Sequence, residues 1–164
     1  MQLAVTDSTN LKPPSGARVL YVAVAILSIA GMIVSAVSLQ RHYARSATKF
    51  CDFAEQFNCD IVNRSEYSSI MEIPVAGIGV VGYGMLLALS TFYRERMETP
   101  TRLALAAAAG LAFALYLTYV EAYVLETWCI LCLCSLCLIT IISLLAAMLK
   151  FKTARNVEKH FVET

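Results

Sequence analysis

The clearest structural signal in this chain is the uncharged apolar run TWCILCLCSLCLITIISLLAAML, residues 127–149. A helix of this length is long enough to cross the hydrocarbon core of a bilayer, which is about 30 Å thick. Three runs of similar length and character precede it, at residues 19–39, 73–93 and 103–125. The only charged residue in the four runs is Glu121. The chain is therefore predicted to cross a membrane four times.

The composition favours a helical membrane protein. Hydrophobic residues make up 59% of the 164 positions. Charged residues make up 15%, against about 25% in a typical soluble domain. The runs lack the polar–apolar alternation of lipid-facing barrel strands, and a helix satisfies its own backbone hydrogen bonds in lipid. The predicted fold class is an all-α membrane protein with a bundle of four transmembrane helices. The net charge of +1 indicates no particular partner, and no nucleic-acid partner is predicted.

The basic residues predict the orientation of the bundle. Nine of the 13 lysines and arginines lie before the first run, between the second and third, or after the fourth. Because cytoplasmic segments carry the excess of basic residues, both termini are predicted to be cytoplasmic, in a protein of the cytoplasmic (inner) membrane. The predicted organisation is a flexible tail at residues 1–18, a membrane domain at 19–149 with an outer loop at 40–72, and a second cytoplasmic tail at 150–164.

The outer loop is long enough to have structure or function of its own. It contains five acidic residues and the cysteines Cys51 and Cys59. Residues 63–71 are predicted to form a short helix on the surface of the bundle, with Asn63 or Ser65 as its cap. This helix is expected to cover the mouth of the bundle.

Two cysteines stand at the start of the fourth run, in the motif Cys129-Ile-Leu-Cys132. Side chains three residues apart share a helix face, so these thiols can form and break a disulfide with little backbone movement. The helix dipole and unpaired N–H groups favour a thiolate there. The alternative is that cysteine is simply a small apolar residue in a membrane helix. The second pair, Cys51 and Cys59, faces the same side and favours the redox interpretation.

Cys134 and Cys137 extend the motif to C-x-x-C-x-C-x-x-C, which resembles a metal site. On one continuous helix, at about 100° per residue, they point roughly 140° and 80° away from Cys129. Four sulfur atoms so arranged cannot converge on a tetrahedral zinc ion, so no metal is predicted. Both cysteines are interpreted as packing residues.

The loop cysteines Cys51 and Cys59 have two interpretations. They can form a structural disulfide that closes an exported loop. They can also carry electrons between an external partner and the inner pair, because disulfide exchange requires one sulfur to reach another. The neighbouring Cys-x-x-Cys motif favours the second interpretation.

Other features are less specific. The sequence Gly77-Ile-Gly79-Val-Val-Gly82 matches a dinucleotide-binding pattern, but no strand precedes it, and close helix packing explains it better. Glu121 can relay protons to a reaction at membrane depth, or simply reach interfacial water. Tyr116, Tyr119 and Tyr123 can line a pocket or form an interfacial aromatic belt.

Several motifs occur here in one order: Cys51; Cys59-Asp-Ile-Val62; Ser65; Tyr67; Ile73-Pro-Val-Ala-Gly77; Tyr83; and Trp128-Cys-Ile-Leu-Cys132. Together they resemble the bacterial branch of the vitamin K epoxide reductase family. The resemblance extends from the first membrane helix to the end of the fourth.

The resemblance implies a four-helix bundle that encloses a quinone of the ubiquinone or menaquinone type. It makes Cys129 and Cys132 the active-site pair, with Cys132 nearest the quinone. It makes Cys51 and Cys59 a shuttle, in which Cys59 takes electrons from a protein partner and Cys51 passes them to Cys129.

The resemblance also assigns quinone-site positions to Ser65, Tyr67 and Tyr83. Leu136 stands where the vertebrate enzymes have a tyrosine, which weakens the case for epoxide reduction. Many bacterial members continue into a fused thioredoxin-like domain. None follows here, so the electron donor is expected to be a separate thioredoxin-fold dithiol protein.

The predicted function is that of a membrane thiol:quinone oxidoreductase that supports disulfide formation outside the cytoplasm. Two rival classes stay open. A cysteine-based carrier of soft metal ions would also place cysteines along a membrane helix. A non-catalytic membrane adapter would use Cys51 and Cys59 as a structural disulfide.

Overall fold

The computed structural model describes residues 15–43, 59, 62, 69–70, 73–93 and 98–162. Four helices make up most of this part: α1 (Ser15–Tyr43), α2 (Val75–Thr91), α3 (Thr99–Val120) and α4 (Ile130–Val162). A π-helical turn, Glu121–Leu125, continues α3. Two short antiparallel strands, β1 (Ser69–Ile70) and β2 (Ile73–Pro74), precede α2. The prediction of a bundle of four helices is confirmed.

The buried face of α1 follows a regular pattern in the sequence. Positions spaced alternately four and three residues apart are buried: Ala17, Tyr21, Val24, Ser28, Gly31, Ser35 and Ser38. This spacing keeps one stripe of a helix against its neighbours. From Ser28 onward the buried side chains are small, and small residues allow membrane helices to approach closely.

The helices form a closed ring. α1 packs against α2 and α4, while α3 packs against α4 and, less extensively, against α2. Buried side chains from all four helices fill the half of the ring that contains the start of α1, among them Val24, Leu86, Leu103 and Ile142. The opposite half contains Cys59 and Val62 of the outer loop and the start of α4.

The outside of the ring is apolar. Large hydrophobic side chains are exposed on every helix, including Val19, Val81, Leu105 and Leu144. Such a surface is unfavourable in water and is expected where helices face lipid. Three segments of the described chain are long and apolar enough to cross a membrane: Gly16–Tyr43, Thr99–Leu125 and Ile130–Asn156. α2, with 17 residues, is at the short end of the range for a crossing.

The helices extend beyond the predicted membrane limits. α1 begins at Ser15, inside the segment predicted as a flexible tail, and α4 continues to Val162. The prediction followed the apolar residues, but a helix does not have to end where its side chains become polar.

The surface helix predicted at residues 63–71 is wrong in its last part. Ser69 and Ile70 form a strand, with Ser69 opposite Pro74 and Ile70 opposite Ile73. Backbone pairing to the chain that leads into α2 replaces the helical hydrogen bonds there. Residues 63–68 and 71 lie outside the described residues.

Candidate redox site

The connection between α3 and α4 is an unusual turn. α3 widens into the π-helical turn Glu121–Leu125, and Glu126 then adopts a left-handed conformation with φ of 50°. The N–H groups of Glu126 and Thr127 both donate to the backbone carbonyl of Glu121. Single π-helical turns occur frequently at functional sites. This turn reverses the chain and brings Cys129 back over Glu121.

Cys129 begins α4. Its carbonyl accepts the first hydrogen bond of the helix from Leu133 N–H at 3.0 Å. Its own N–H donates to Oε2 of Glu121 at 3.2 Å. Cys132 therefore lies in the first turn, on the same face as Cys129. The predicted position of the Cys-x-x-Cys motif at a helix N-terminus is confirmed.

The position of Cys129 favours its thiolate. It lies at the N-terminal end of α4, where the helix dipole and unpaired backbone N–H groups stabilise negative charge. Cys129 and Cys132 are both free thiols in this structure.

Glu121 is held beneath the two thiols. Its side chain is 2% exposed. One of its carboxylate oxygens and the sulfur atoms of Cys129 and Cys132 all lie within 4.8 Å of one another. Oε1 has no hydrogen-bond partner among the described residues. A carboxyl group this deeply buried does not reach interfacial water, which was one of its two predicted interpretations.

Cys59, in the outer loop, packs against the site. It is 1% exposed and packs in a small buried cluster with Val62 and Cys129. Cys59 is disulfide-bonded. The four other described cysteines are free thiols, so its partner lies outside the described residues. Buried in this way, the Cys59 sulfur is not accessible to a protein partner in this conformation.

A cavity of about 340 Å³ lies in the half of the ring beside Cys132. Its walls are mostly apolar, and all four helices contribute to them. Cys132, Glu121 and Tyr83 line it. Of the residues predicted at a quinone site, Cys132 and Tyr83 are thus on one cavity. Ser65 and Tyr67, like Cys51, lie outside the described residues.

Tyr83 is fixed at the cavity wall. Its hydroxyl donates to the Ser135 carbonyl at 3.0 Å and lies 2.9 Å from the Ser135 hydroxyl. Its ring lies against Gly31, where an added Cβ would be only 2.3 Å from the ring. α1 therefore supplies a gap for the ring, and α4 supplies the anchor for the hydroxyl.

The glycine-rich segment of α2 shapes the same cavity. Gly79 and Gly82 both line it. A Cβ at Gly79 would be 2.7 Å from Ser35 Oγ of α1, whereas a Cβ at Gly82 would have no atom within 4 Å. The prediction of close helix packing is confirmed at Gly79, while Gly82 leaves open space.

Cys134 and Cys137 lie away from this site. Both are exposed on α4, so their interpretation as packing residues is wrong, although they do not converge with Cys129 and Cys132. The residues that could hold a metal ion in the described chain are Glu121, Cys129 and Cys132. Without the two exposed cysteines, this group offers three protein ligands rather than four.

The tyrosines of the α3 end also lie outside the cavity. Tyr116, Tyr119 and Tyr123 are exposed, and the rings of Tyr119 and Tyr123 contact each other with centroids 4.8 Å apart. Their positions fit the aromatic-belt interpretation rather than a pocket.

Sequence reasoning missed Ser135 as the partner of Tyr83, and Ser35, Ser38 and His42 as cavity-lining residues. Two signals were available. Ser135 is three residues past Cys132 and shares its helix face. Ser35 and His42 continue the seven-residue spacing of the buried α1 stripe.

Comparison with known families gives one match. The model of the vitamin K epoxide reductase family matches residues 22–147. The match begins within α1, ends within α4, and includes all six cysteines, Glu121 and Tyr83. No curated protein matches the chain.

Proposed function

This chain belongs to the vitamin K epoxide reductase family, and we propose that it oxidises thiols outside the cytoplasm and reduces a membrane quinone. The family consists in general of membrane oxidoreductases that act on thiols and quinones. The observation that carries the proposal is a free dithiol whose second cysteine, Cys132, lines an apolar cavity among membrane helices.

The cavity suits a quinone head group. Most of its wall is hydrocarbon, and its polar groups are few and well placed, including Glu121 and the Tyr83–Ser135 pair. Binding sites for small apolar molecules usually combine apolar walls with a few polar groups that fix orientation. A quinone bound there would accept two electrons from the inner pair, and Cys132 is the nearer donor.

The electron route proposed for the outer side uses the disulfide of Cys59, with Cys51 as its partner. A thiolate of a separate thioredoxin-fold protein attacks this disulfide, and a second thiolate of that protein completes its own disulfide. The released loop thiolate then attacks Cys129–Cys132 and re-forms the loop disulfide. The contact cluster of Cys59 and Cys129 supports exchange between the two pairs.

The buried position of Cys59 adds a requirement to this route. Since its sulfur is covered by Val62 and its neighbours, a protein partner must attack Cys51 or wait until this part of the loop moves. Cys59 is disulfide-bonded here while Cys129 and Cys132 are free. This combination corresponds to the step at which electrons have left the loop and await the quinone.

The orientation proposed for the protein follows the distribution of basic residues, with both termini in the cytoplasm and the thiols on the outer side of the inner membrane. This arrangement exposes the loop to an oxidising compartment, where disulfides persist.

The test is a reconstituted reaction. Purified protein is mixed with a reduced thioredoxin-fold dithiol protein and a short-chain quinone, and the quinone absorbance is followed. Cys129→Ala and Cys132→Ala should abolish turnover. Cys134→Ala and Cys137→Ala, matched controls on the exposed face of the same helix, should retain it.

Two outcomes would contradict the proposal. If Cys134→Ala and Cys137→Ala abolish function, and the protein transports metal ions, it is a carrier of soft metal ions. If well-folded wild-type protein does not reduce quinone, and Cys59→Ala lowers its thermal stability, the protein is an adapter with a structural disulfide.

A further inference from the structure

We propose that Glu121 transfers the protons of this reaction, from the Cys129–Cys132 dithiol to the bound quinone. The inference rests on the proposed function and adds a catalytic residue to it.

The burial of Glu121 requires an explanation. A carboxyl group at membrane depth is costly and tends to be present for function. Among the described residues, no lysine or arginine forms an ion pair with it; the salt bridge found there joins Arg102 to Glu98 on the exposed start of α3. Its described hydrogen-bond partners are the backbone N–H of Cys129 and the Cys132 thiol. The carboxyl group is therefore not part of a structural ion pair in the described part of the chain.

The two oxygens of the carboxyl group have different surroundings. Oε2 faces the backbone of Cys129 at 3.2 Å, which fixes the orientation of the group. Oε1 is buried and has no partner in the described chain. The side chain lines the same cavity as Cys132. An unpartnered buried oxygen beside both the thiols and the cavity is suited to donate to, or accept from, a bound molecule.

The chemistry needs such a group. Oxidation of two thiols to a disulfide releases two electrons and two protons, and reduction of a quinone to a quinol takes up the same number. When the electron pair passes from the Cys132 sulfur, the protonated Glu121 gives its proton to a quinone oxygen. The carboxylate then accepts a proton from the dithiol as the S–S bond forms. Only the proton transfer is repeated, with the second thiol proton, so that one electron pair and two protons complete the quinol and Glu121 is left unchanged.

Other titratable side chains line the cavity but are placed differently. The Tyr83 hydroxyl is bound to Ser135 on α4, and His42 lies near the end of α1. In the described part of the chain, Glu121 is the acid grouped within 4.8 Å of both sulfur atoms. Among the described residues, it alone connects the donor of the protons with the space for their acceptor.

The test separates the two halves of the reaction in the full-length protein. In the first half, a reduced thioredoxin-fold dithiol protein reduces the enzyme without quinone, and thiols are counted by alkylation. In the second, the prereduced enzyme is mixed rapidly with a short-chain quinone. Glu121→Gln keeps an oxygen for Cys129 N–H but cannot transfer a proton. Glu126→Gln, in the exposed turn five residues later, is the matched control.

We expect Glu121→Gln to slow quinone reduction by about 10²-fold or more, in the range that general acid–base groups contribute. The rate at which the dithiol protein reduces the enzyme, the first half of the reaction, should change little in Glu121→Gln. Glu121→Asp should recover part of the rate, because it keeps a carboxyl group. Quinone reduction by the wild-type enzyme should slow in deuterated water. Glu126→Gln should reduce quinone at the wild-type rate.

The outcomes are distinguishable. If wild-type protein does not reduce quinone, the proposed function itself fails. If wild-type protein is active and Glu121→Gln reduces quinone within about threefold of its rate, the role of Glu121 is refuted. If Glu121→Gln does not fold, as judged by circular dichroism, Glu121→Asp decides. A folded Asp variant with wild-type rate and no solvent isotope effect overturns the proposal, while a slowed one with a retained isotope effect supports it.

Discussion

Replacement of Gly31 by alanine tests whether the Tyr83 ring is as tightly held as the structure indicates. The new Cβ would be 2.3 Å from one ring atom and 2.5 Å from two others. Favourable carbon contacts are about 3.5–4.0 Å, so the ring or the helix must move by more than about 1 Å. The ring is 5% exposed and its hydroxyl is bound to Ser135, so any such movement disturbs either packing or hydrogen bonds.

The expected size of this effect comes from three contributions. Overpacking of a close-packed site costs about 1–3 kcal/mol, and a lost hydrogen bond costs about 1 kcal/mol. Alanine in place of a helical glycine recovers up to about 1 kcal/mol. The free energy of unfolding should therefore fall by about 1–3 kcal/mol, and the unfolding temperature by about 2–12 °C. Quinone reduction should slow as well, because Tyr83 lines the cavity.

The assay is thermal unfolding in detergent, followed by the fluorescence of Trp128, the only tryptophan. Gly84→Ala is the matched control, because its Cβ would have its nearest neighbour at 3.9 Å, in Met32. This control should melt at or above the wild-type temperature. In a Tyr83→Ala background, Gly31→Ala should cost clearly less than in the wild type. Equal unfolding temperatures for Gly31→Ala and wild type would refute the reasoning.

Three further substitutions test other contacts. Gly79→Ala should lower the unfolding temperature, because its Cβ would be 2.7 Å from Ser35 Oγ and 3.3 Å from Ser35 Cβ. Adding Ser35→Gly to this variant should restore the unfolding temperature, and a failure to do so would contradict the contact. Gly82→Ala should leave thermal stability intact but raise the KM for quinone, because its methyl group enters open cavity space; an unchanged KM would place the quinone elsewhere. Ser143→Ala removes a 3.1 Å hydrogen bond to the Ala107 carbonyl and should lower the free energy of unfolding by about 0.5–1.5 kcal/mol. An unchanged thermal stability would contradict that contact.

The membrane helices were predictable because lipid requires long apolar helical segments, and each run in this sequence is close to the necessary length. Their ends were not predictable from apolar character, since α1 and α4 continue into polar sequence. The strand at Ser69–Ile70 was missed because the plausible cap residues Asn63 and Ser65 favoured a helix. The two strand residues pair instead with Ile73 and Pro74, only three and five residues further along the chain.

The site was predictable in the placement of its two sulfur atoms but not in the carboxyl group beside them. The spacing of Cys129 and Cys132 was enough to place both on one face at a helix start. The contact of Glu121 with Cys129 depends on the π-helical turn and the left-handed Glu126, and no local pattern predicts either. The helical angle correctly separated Cys134 and Cys137 from Cys129 and Cys132. It did not reveal that they face outward, because cysteine suits lipid and protein interiors alike.

The ring arrangement has a consequence for how the protein is made. α1 is synthesised first, yet one of its two neighbours, α4, emerges last. Until that final segment enters the bilayer, the flank of α1 that α4 later covers has no partner within the nascent chain. Ribosome-bound intermediates halted before α4 should therefore be more readily degraded by membrane proteases than the finished polypeptide, and the contact between Glu121 and Cys129 can form only once synthesis is nearly complete.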